Sequence, residues 1–411
     1  EVECGARRVD FWQGESKAAA TRDIWLRGLR LRPTHYTATG MPSTAGHVIQ
    51  TLAGRPLDDP PKYGKAFQDL GETEEAKKVC EALGYLMEAE ATEKLLNTFL
   101  RPLPRMVDGN SRIHSSVNLN TETGRLSSQR PNLQNQPALE KDRYQIRKAF
   151  KPAPGNKYIV ADYGQLELRI MAHMTRCKSM VAALEAGGDF HSRTAVDMYS
   201  HVRSAVEEGH ALLDMTHHTD GPAPPLVKDK FANERKSAKV VNFSIAYGKT
   251  RKGLSADLNV TQEEAQETIN RWYAARQEVQ AWQQQSKRTA AELGVTTTLL
   301  GRRRLLADIV SSDRSRRGHA ERGAINTPIQ GGAADVVVMA MLRIHWSHAI
   351  RERGWRMVMQ IHDELILEGP EEHAKQVLPL VKKCMEHPFD TPLLVQLPVD
   401  GGIADSWFDG K

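Results

Sequence analysis

Four side chains between residues 231 and 249 are of types that could do chemistry together: Arg235, Lys239, Phe243 and Tyr247. They stand four apart, so on an α-helix they line one face and drift only slowly around the axis. Gly248 follows, where a helix tends to stop. Such a face offers two cations, then an aromatic ring, then a phenol. Arg and Lys hold phosphates as a fork and a point charge, and flat rings give a base something to stack on. The plain alternative is a basic surface helix with a half-buried Phe. Two acidic segments shift the balance. Asp162 closes the apolar stretch Tyr158 to Ala161, and Asp363 stands with His362 and Glu364 between two short apolar runs that read as a hairpin. Taken singly, these acids read as a helix N-cap and as turn residues. Taken together, two carboxylates at strand ends can meet across one sheet. They would then hold a pair of Mg²⁺ ions about 4 Å apart, the clamp used for in-line phosphoryl transfer. With a cationic helix on the other side, that arrangement describes nucleotidyl transfer, in which catalysis is positioning plus charge stabilisation.

The elements needed to position these groups fit within the chain. Its 411 residues are enough for two or three domains, and 40% hydrophobic with 26% charged residues is the balance of a globular protein with a sizeable core. The longest clean apolar run, Val336 to Leu342, is far too short to span a membrane. The net charge of +5 is compatible with a polyanionic partner. The four cysteines, Cys4, Cys80, Cys177 and Cys384, are scattered and read as reduced thiols, neither a disulfide frame nor a zinc site. The chain opens on Glu1, and no signal or transit peptide is read from its first residues.

Residues 1–36 are basic and without periodicity. A helix capped by Ser43 or Thr44 is expected next, then a Pro- and Gly-rich loop. A long helix over 73–100, broken near Gly84, follows. Ile113, Val117 and Leu119 alternate as in a strand and lead into a loop dense in Asn, Ser, Thr and Gln, whose amides and Arg125 suit a nucleic-acid backbone or minor groove. Asp162 ends a strand that continues into a helix carrying Glu167. Asp189 is expected to cap a helix with His191 in its first turn. Residues 201–230 read as an irregular insertion. Thr261 and Glu264 form a capping box ahead of an amphipathic helix or pair of helices. Arg302, Arg303 and Arg304 follow in a hairpin and, with Arg314, Arg316, Arg317 and Arg322, suit a phosphate track. Asn326 and Gln330 are expected at the start of an apolar helix, and a last strand near Leu393–Val399.

With these residues placed, ADYGQLELR, the Arg235–Lys239–Phe243–Tyr247–Gly248 series and QIHDELILE resemble motifs A, B and C of the family A DNA polymerases, of the bacterial DNA polymerase I type. TGRLSSQRPNLQNQP, GGDFH, GRRR and INTPIQGGAAD are similar to further family segments in the family's order. The resemblance runs from about residue 37 to the end, and ALEKDRY, NFSIAYGKT and HDELILEGPEE are similar to the plant and protist organellar branch.

The resemblance implies an α+β right-hand fold: an antiparallel-sheet palm (106–186 and 331–411), helical fingers (187–330) and a partial helical thumb (37–105). It implies Asp162 and Asp363 as ligands of two Mg²⁺ ions, with the Tyr163 carbonyl assisting, and Glu364 as an accessory acid near the primer end. Gln165, His191, Arg235 and Lys239 would serve the incoming deoxynucleoside triphosphate, Phe243 would pack on it, and Glu167 with Tyr247 would form the steric gate against a ribose 2′-hydroxyl. Arg125, Asn132, Asn135, Arg302, Asn326, Gln330, Gln360 and His362 would touch primer–template DNA. It further implies a monomer, no membrane and an organellar setting; as departures from the family's pattern, the chain is expected to lack the 3′–5′ exonuclease domain and to have a shortened thumb. Two rivals stay open: a phage-type single-subunit RNA polymerase, against which Glu167 and Glu364 argue, and a truncated DNA-binding remnant without activity.

Overall fold

The computed structural model describes residues 7–11, 20–24, 31, 33–37, 39–137, 142, 144–187, 189–213 and 223–410. Most of the expected N-terminal segment, Cys4, and residues 214–222 of the expected insertion lie outside these. The chain divides into two compact units, Glu1–Ile113 and His114–Lys411.

In the first unit, strands β1 (Arg7–Phe11) and β2 (Ala20–Ile24) pair antiparallel. Helix α1 (Gly46–Ala53) follows, then the short pair β3 (Gly54–Arg55) and β4 (Lys62–Tyr63), α2 (Lys65–Asp69) and α3 (Glu74–Leu95). The α1 start differs from expectation: Ala45 stands at the cap, without a side-chain bond, so neither Ser43 nor Thr44 caps it. Helix α3, capped by Thr73, runs unbroken through Gly84. Gly84 is there for packing and not for a break: a Cβ on it would come within 2.9 Å of Pro56. Leu52, Ala53, Ala66, Cys80 and Leu83 form the core of this unit.

The second unit is organised on a four-stranded antiparallel sheet. Strands β5 (Ser116–Asn118) and β6 (Ser127–Gln129) make a separate hairpin ahead of it. Strand β7 (Asn156–Tyr163) then enters the main sheet. A run of helices follows: α4 (Leu166–Thr175), α5 (Lys178–Glu185), α6 (Phe190–Met198), α7 (Ser200–Glu207), α8 (Val227–Lys230), α9 (Ala232–Ala246), α10 (Arg251–Leu258), α11 (Gln262–Ala274) and α12 (Gln277–Leu293). The hairpin β8 (Val295–Thr297) and β9 (Arg303–Leu305) leads to the 33-residue helix α13 (Arg314–Trp346). Helix α14 (His348–Glu352), β10 (Arg356–Ile361), β11 (Glu364–Pro370), α15 (Ala374–Glu386) and β12 (Val399–Ala404) complete the unit. The sheet order is β10-β11-β7-β12.

Two expectations are corrected here. Asn326 and Gln330 lie in the middle of α13, not at its start: Asp313, thirteen residues before Asn326, caps the helix by accepting from Ser315 and Arg316. The last strand spans Val399–Ala404, and Leu393–Pro398 precede it.

Alternation along β7 and β11 decides which way each side chain faces. Ile159, Ala161, Tyr163, Leu365 and Leu367 share one buried cluster with Val336, Val337 and Ala340 of α13 and Val377 and Val381 of α15. Tyr158, Val160 and Ile366 point to the other face, where Trp407 packs. Asp162 and Glu364 share the parity of that second face. A second cluster joins α4, α5, α9, α10, α11 and α13 through Leu168, Met180, Val241, Ile245, Leu254, Ile269, Trp272 and Ile325.

Gly369 tests how tightly the sheet is packed. A Cβ there would sit 2.4 Å from the ring of Trp355, which is 2% exposed. Gly369→Ala is therefore expected to destabilise the second unit by about 1–3 kcal/mol, read as a lower denaturant midpoint at unchanged slope.

Candidate active site

The β10–β11 turn brings the two distant aspartates together. Strand β7 pairs with β11 so that Asp162 lies opposite Glu364, and the Tyr163 amide donates to the Asp363 carbonyl at 3.2 Å. The residue after Asp162 is thus bonded directly to Asp363. The Tyr163 side chain turns to the helix face, where its hydroxyl donates to the Met385 carbonyl at 2.7 Å. On the other flank of β7, Asp400 of β12 stands opposite Asp162.

Glu364 differs from Asp363 in setting. It is 2% exposed, and its Oε1 accepts from the Trp407 indole at 2.6 Å. Arg147 stacks over the same Trp407 ring at 4.3 Å. Burial lowers the Arg147 pKa, against the pull of Glu364, Asp142 and Asp162. Asp363 stands with His362 in the turn between the strands, whereas Glu364 is the first residue of β11.

A continuous chain of polar contacts runs from the turn to the end of α9. Arg125 faces Asp363 Oδ1 at 3.9 Å and makes a close ion pair with Glu167 on α4. Glu167 also accepts from the Tyr247 hydroxyl, which in turn contacts Gln330. Burial first, and then the Glu167 charge, push the Tyr247 phenol well above its ordinary pKa, so it stays a donor. Tyr247 closes α9 and Gly248 follows at φ 69°, the left-handed residue expected at a helix end.

On the α9 face the rings form a row. Tyr247 stacks on Phe243 at 6.0 Å between centroids, and Phe243 lies 5.5 Å from the ring of His191. His191 sits in the first turn of α6, which Asp189 caps through Ser192. The cap carboxylate also takes two bonds from Arg235, at 2.6 and 3.2 Å. Burial pushes the Asp189 carboxyl up, but the bonds from Arg235 and Ser192 outweigh it and hold it below its ordinary value. Lys239 is exposed and has no partner among the described residues.

His191 is 3% exposed. Burial, helped by Arg235 and Lys239 and opposed by Asp189, lowers its pKa to about 4. Folding therefore favours the neutral ring. The unfolded chain binds the extra proton between pH 6.5 and 4, so stability falls as pH drops through that window. His191→Phe is expected to remove a component on the order of 3 kcal/mol from this acid-side loss, measured by urea titrations from pH 7.5 to 4.

Other expected contacts fall differently. Gln165 accepts from the Phe190 amide at 3.3 Å, tying α4 to α6. Asn132 caps a short turn by accepting from Gln134 at 3.0 Å, and both Asn132 and Asn135 are exposed. Between them Gln134, which sequence reading passed over, donates to Gln360 Oε1 at 2.9 Å. Gln360 donates to the His362 carbonyl, and His362 holds φ 54° in the turn. Arg302 spends its guanidinium on protein: Asp335 at 2.8 Å and the Thr123 carbonyl at 2.9 Å. Arg304 is likewise held by Glu122 and Thr327, so the row of three arginines is not one open track. Asn326 Oδ1 is buried without a partner among the described residues.

Among the described residues no group of three His, Cys, Asp or Glu side chains could hold a metal by itself. The donors at Asp162, Tyr163 and Asp363 are all oxygens, which suits a hard cation that keeps water and substrate phosphate in its shell, as Mg²⁺ does.

The model of DNA polymerase family A matches residues 22–210 and 224–409, nearly the whole chain. The chain belongs to this family. Among its relatives, DNA polymerase I B, chloroplastic/mitochondrial, of Arabidopsis thaliana is 46% identical over 97% of this chain and 43% of its own length. DNA polymerase I B, mitochondrial, of Oryza sativa subsp. japonica is 49% identical over 88% of this chain and 35% of its own. The chain thus spans less than half the length of these curated relatives. A solved structure, the POL domain of Pol1 from M. smegmatis in complex with DNA primer-template and dNTP, is 30% identical with a TM-score of 0.72, covering 92% of this chain and 58% of that one. The family A polymerase fold is α+β, the right-hand fold expected from the motifs. No helix among the described residues is long and apolar enough to cross a membrane.

Proposed function

We propose that this chain is a template-directed DNA polymerase that adds deoxynucleotides to a primer 3′ end by two-metal-ion nucleotidyl transfer, in replication or repair of organellar DNA. The observation that carries the reading is the meeting of Asp162 and Asp363 across β7 and β11, joined through Arg125 and Glu167 to Tyr247 at the end of α9. Family membership and the organellar names of the relatives support the setting.

In this reading Asp162, the Tyr163 carbonyl and Asp363 hold two Mg²⁺ ions. When bound, these supply charge neutralisation at the triphosphate and lower the pKa of the attacking primer hydroxyl. The chain's own residues do the rest. Lys239 and Arg235 take the phosphates, with Arg235 sharing its fork between Asp189 and substrate. His191 donates from its neutral ring, and Phe243 packs on the sugar and base. Glu167, fixed by Arg125 and Tyr247, stands as the gate against a 2′-hydroxyl. Glu364, held by Trp407 beside Asp162, is the accessory acid near the primer end. Arg125, Asn132, Asn135, Asn326, Gln330, Gln360 and His362 face primer and template; Arg302 acts by holding α13 to the β5–β6 loop. Palm, fingers and thumb follow the ranges 106–186 with 331–411, 187–330 and 37–105, and the working form is a monomer.

The test is extension of a labelled primer on a defined template with Mg²⁺ and either deoxy- or ribonucleotides. Template-matched incorporation of deoxynucleotides is expected. Preference for ribonucleotides would favour the RNA polymerase reading. DNA binding with no extension would favour a remnant.

A further inference from the structure

Asn242 is fully buried on α9, three residues after Lys239 and seven after Arg235, at the edge where their face meets the core. Its surroundings leave its amide one orientation. Trp272 on α11 approaches Asn242 Oδ1 at 2.8 Å through its indole nitrogen, and an indole nitrogen only donates. The atom facing Trp272 is therefore the amide oxygen. The NH₂ then faces Thr194 Oγ1 at 2.9 Å and His191 Nδ1 at 3.1 Å. A ring nitrogen that accepts from an NH₂ carries a lone pair, so in the neutral imidazole the proton sits on Nε2. Nε2 has no hydrogen-bond partner among the described residues, and the ring packs beside Phe243.

We propose that Trp272 and Asn242 form a positioning relay that fixes the tautomer of His191, so that it presents one neutral Nε2–H donor to an oxygen of the incoming triphosphate. The opposite tautomer would turn a lone pair on that oxygen. The inference rests on the nucleotide-binding reading above and adds two buried residues on the Nδ1 side of the His191 ring. The charged groups around the ring are Asp189, ahead of its own helix, and Arg235 and Lys239 on α9; α11 contributes the uncharged Trp272. With Asn242 in place, the low pKa of His191 keeps the ring neutral across the working range.

Asn242→Asp tests the relay at constant size. Trp272 can still donate to one oxygen. The other oxygen can only accept once ionised, so it draws the proton to Nδ1 and strips it from Nε2. In the full chain, the nucleotide KM for primer extension is expected to rise on the order of 10–100-fold at pH 8–9, with kcat moving far less. The penalty shrinks as pH falls, because a ring paired with a carboxylate gains a second proton and recovers its Nε2–H. ¹⁵N shifts of His191, assigned by their loss in His191→Phe, should show a protonated Nε2 in the unchanged protein and a protonated Nδ1 in Asn242→Asp. Trp272→Phe keeps the ring but loses the donor, and should give a mixed tautomer with a smaller KM rise. A KM penalty equal at every pH, or a protonated Nδ1 in the unchanged protein, would overturn the relay. An unchanged nucleotide KM in His191→Phe would instead refute the triphosphate contact itself, while the ¹⁵N pattern would still report whether the relay sets the tautomer.

Discussion

Asp363→Asn is expected to cut primer extension by about a thousandfold or more while changing affinity for primer–template DNA less than about threefold. The substitution keeps the size of the side chain, and the Asp363 backbone carbonyl still accepts from Tyr163, so the β10–β11 turn is preserved. What is lost is one of two oxygen-donor charges meeting at the ends of β7 and β11. Asp363 is also faced by Arg125 at 3.9 Å, so its removal leaves that guanidinium with Glu167 alone and makes the site more positive. DNA affinity, carried mostly by phosphate contacts, should therefore hold or rise slightly. Rapid-quench extension beside fluorescence anisotropy on the same duplex separates the two quantities. Near-normal extension would remove Asp363 from the chemistry.

Glu167→Ala is expected to lower discrimination against ribonucleotides on the order of 100–1000-fold. Glu167 is a fixed wall because both of its oxygens are held, one by Arg125 and the other by Tyr247. Replacement by Ala opens a space where the carboxyl stood and frees Tyr247 from its anchor. Glu167→Gln keeps the volume and can still accept from Tyr247, so it should retain most of the discrimination. Competition between matched deoxy- and ribonucleotides at one template position gives the ratio. If Glu167→Ala discriminates as well as the unchanged protein, the gate lies elsewhere.

What the sequence made legible was periodic or local. The spacing of Arg235, Lys239, Phe243 and Tyr247 is a property of one helix, and α9 has it. The Thr261–Glu264 capping box and the Asp189 cap are bonds between residues three apart, and both form. The apolar runs of β7 and β11 are short and bounded by polar residues, so Asp162 falls at a strand end. What stayed hidden depends on partners far along the chain. Arg302 and Arg304 looked alike in sequence, yet Asp335 and Glu122 claim them. Spacing alone did not separate Glu364 from Asp363; Trp407, 43 residues on, is what covers Glu364. Asn242 was passed over because it sits among the apolar positions of α9, between Val241 and Ile245, where a polar side chain must find buried partners. An amide in a buried helix stripe was the one available sign.

Everything here turns on Asp162 and Asp363 sharing divalent cations at the junction of β7 and β11. The most direct measurement is Mn²⁺ binding, followed by electron paramagnetic resonance, to a complex with a dideoxy-terminated primer–template and the next matched nucleotide. Two spin-coupled Mn²⁺ ions per chain are predicted, falling to one or none in both Asp162→Asn and Asp363→Asn. Two coupled ions retained in either variant would contradict the account.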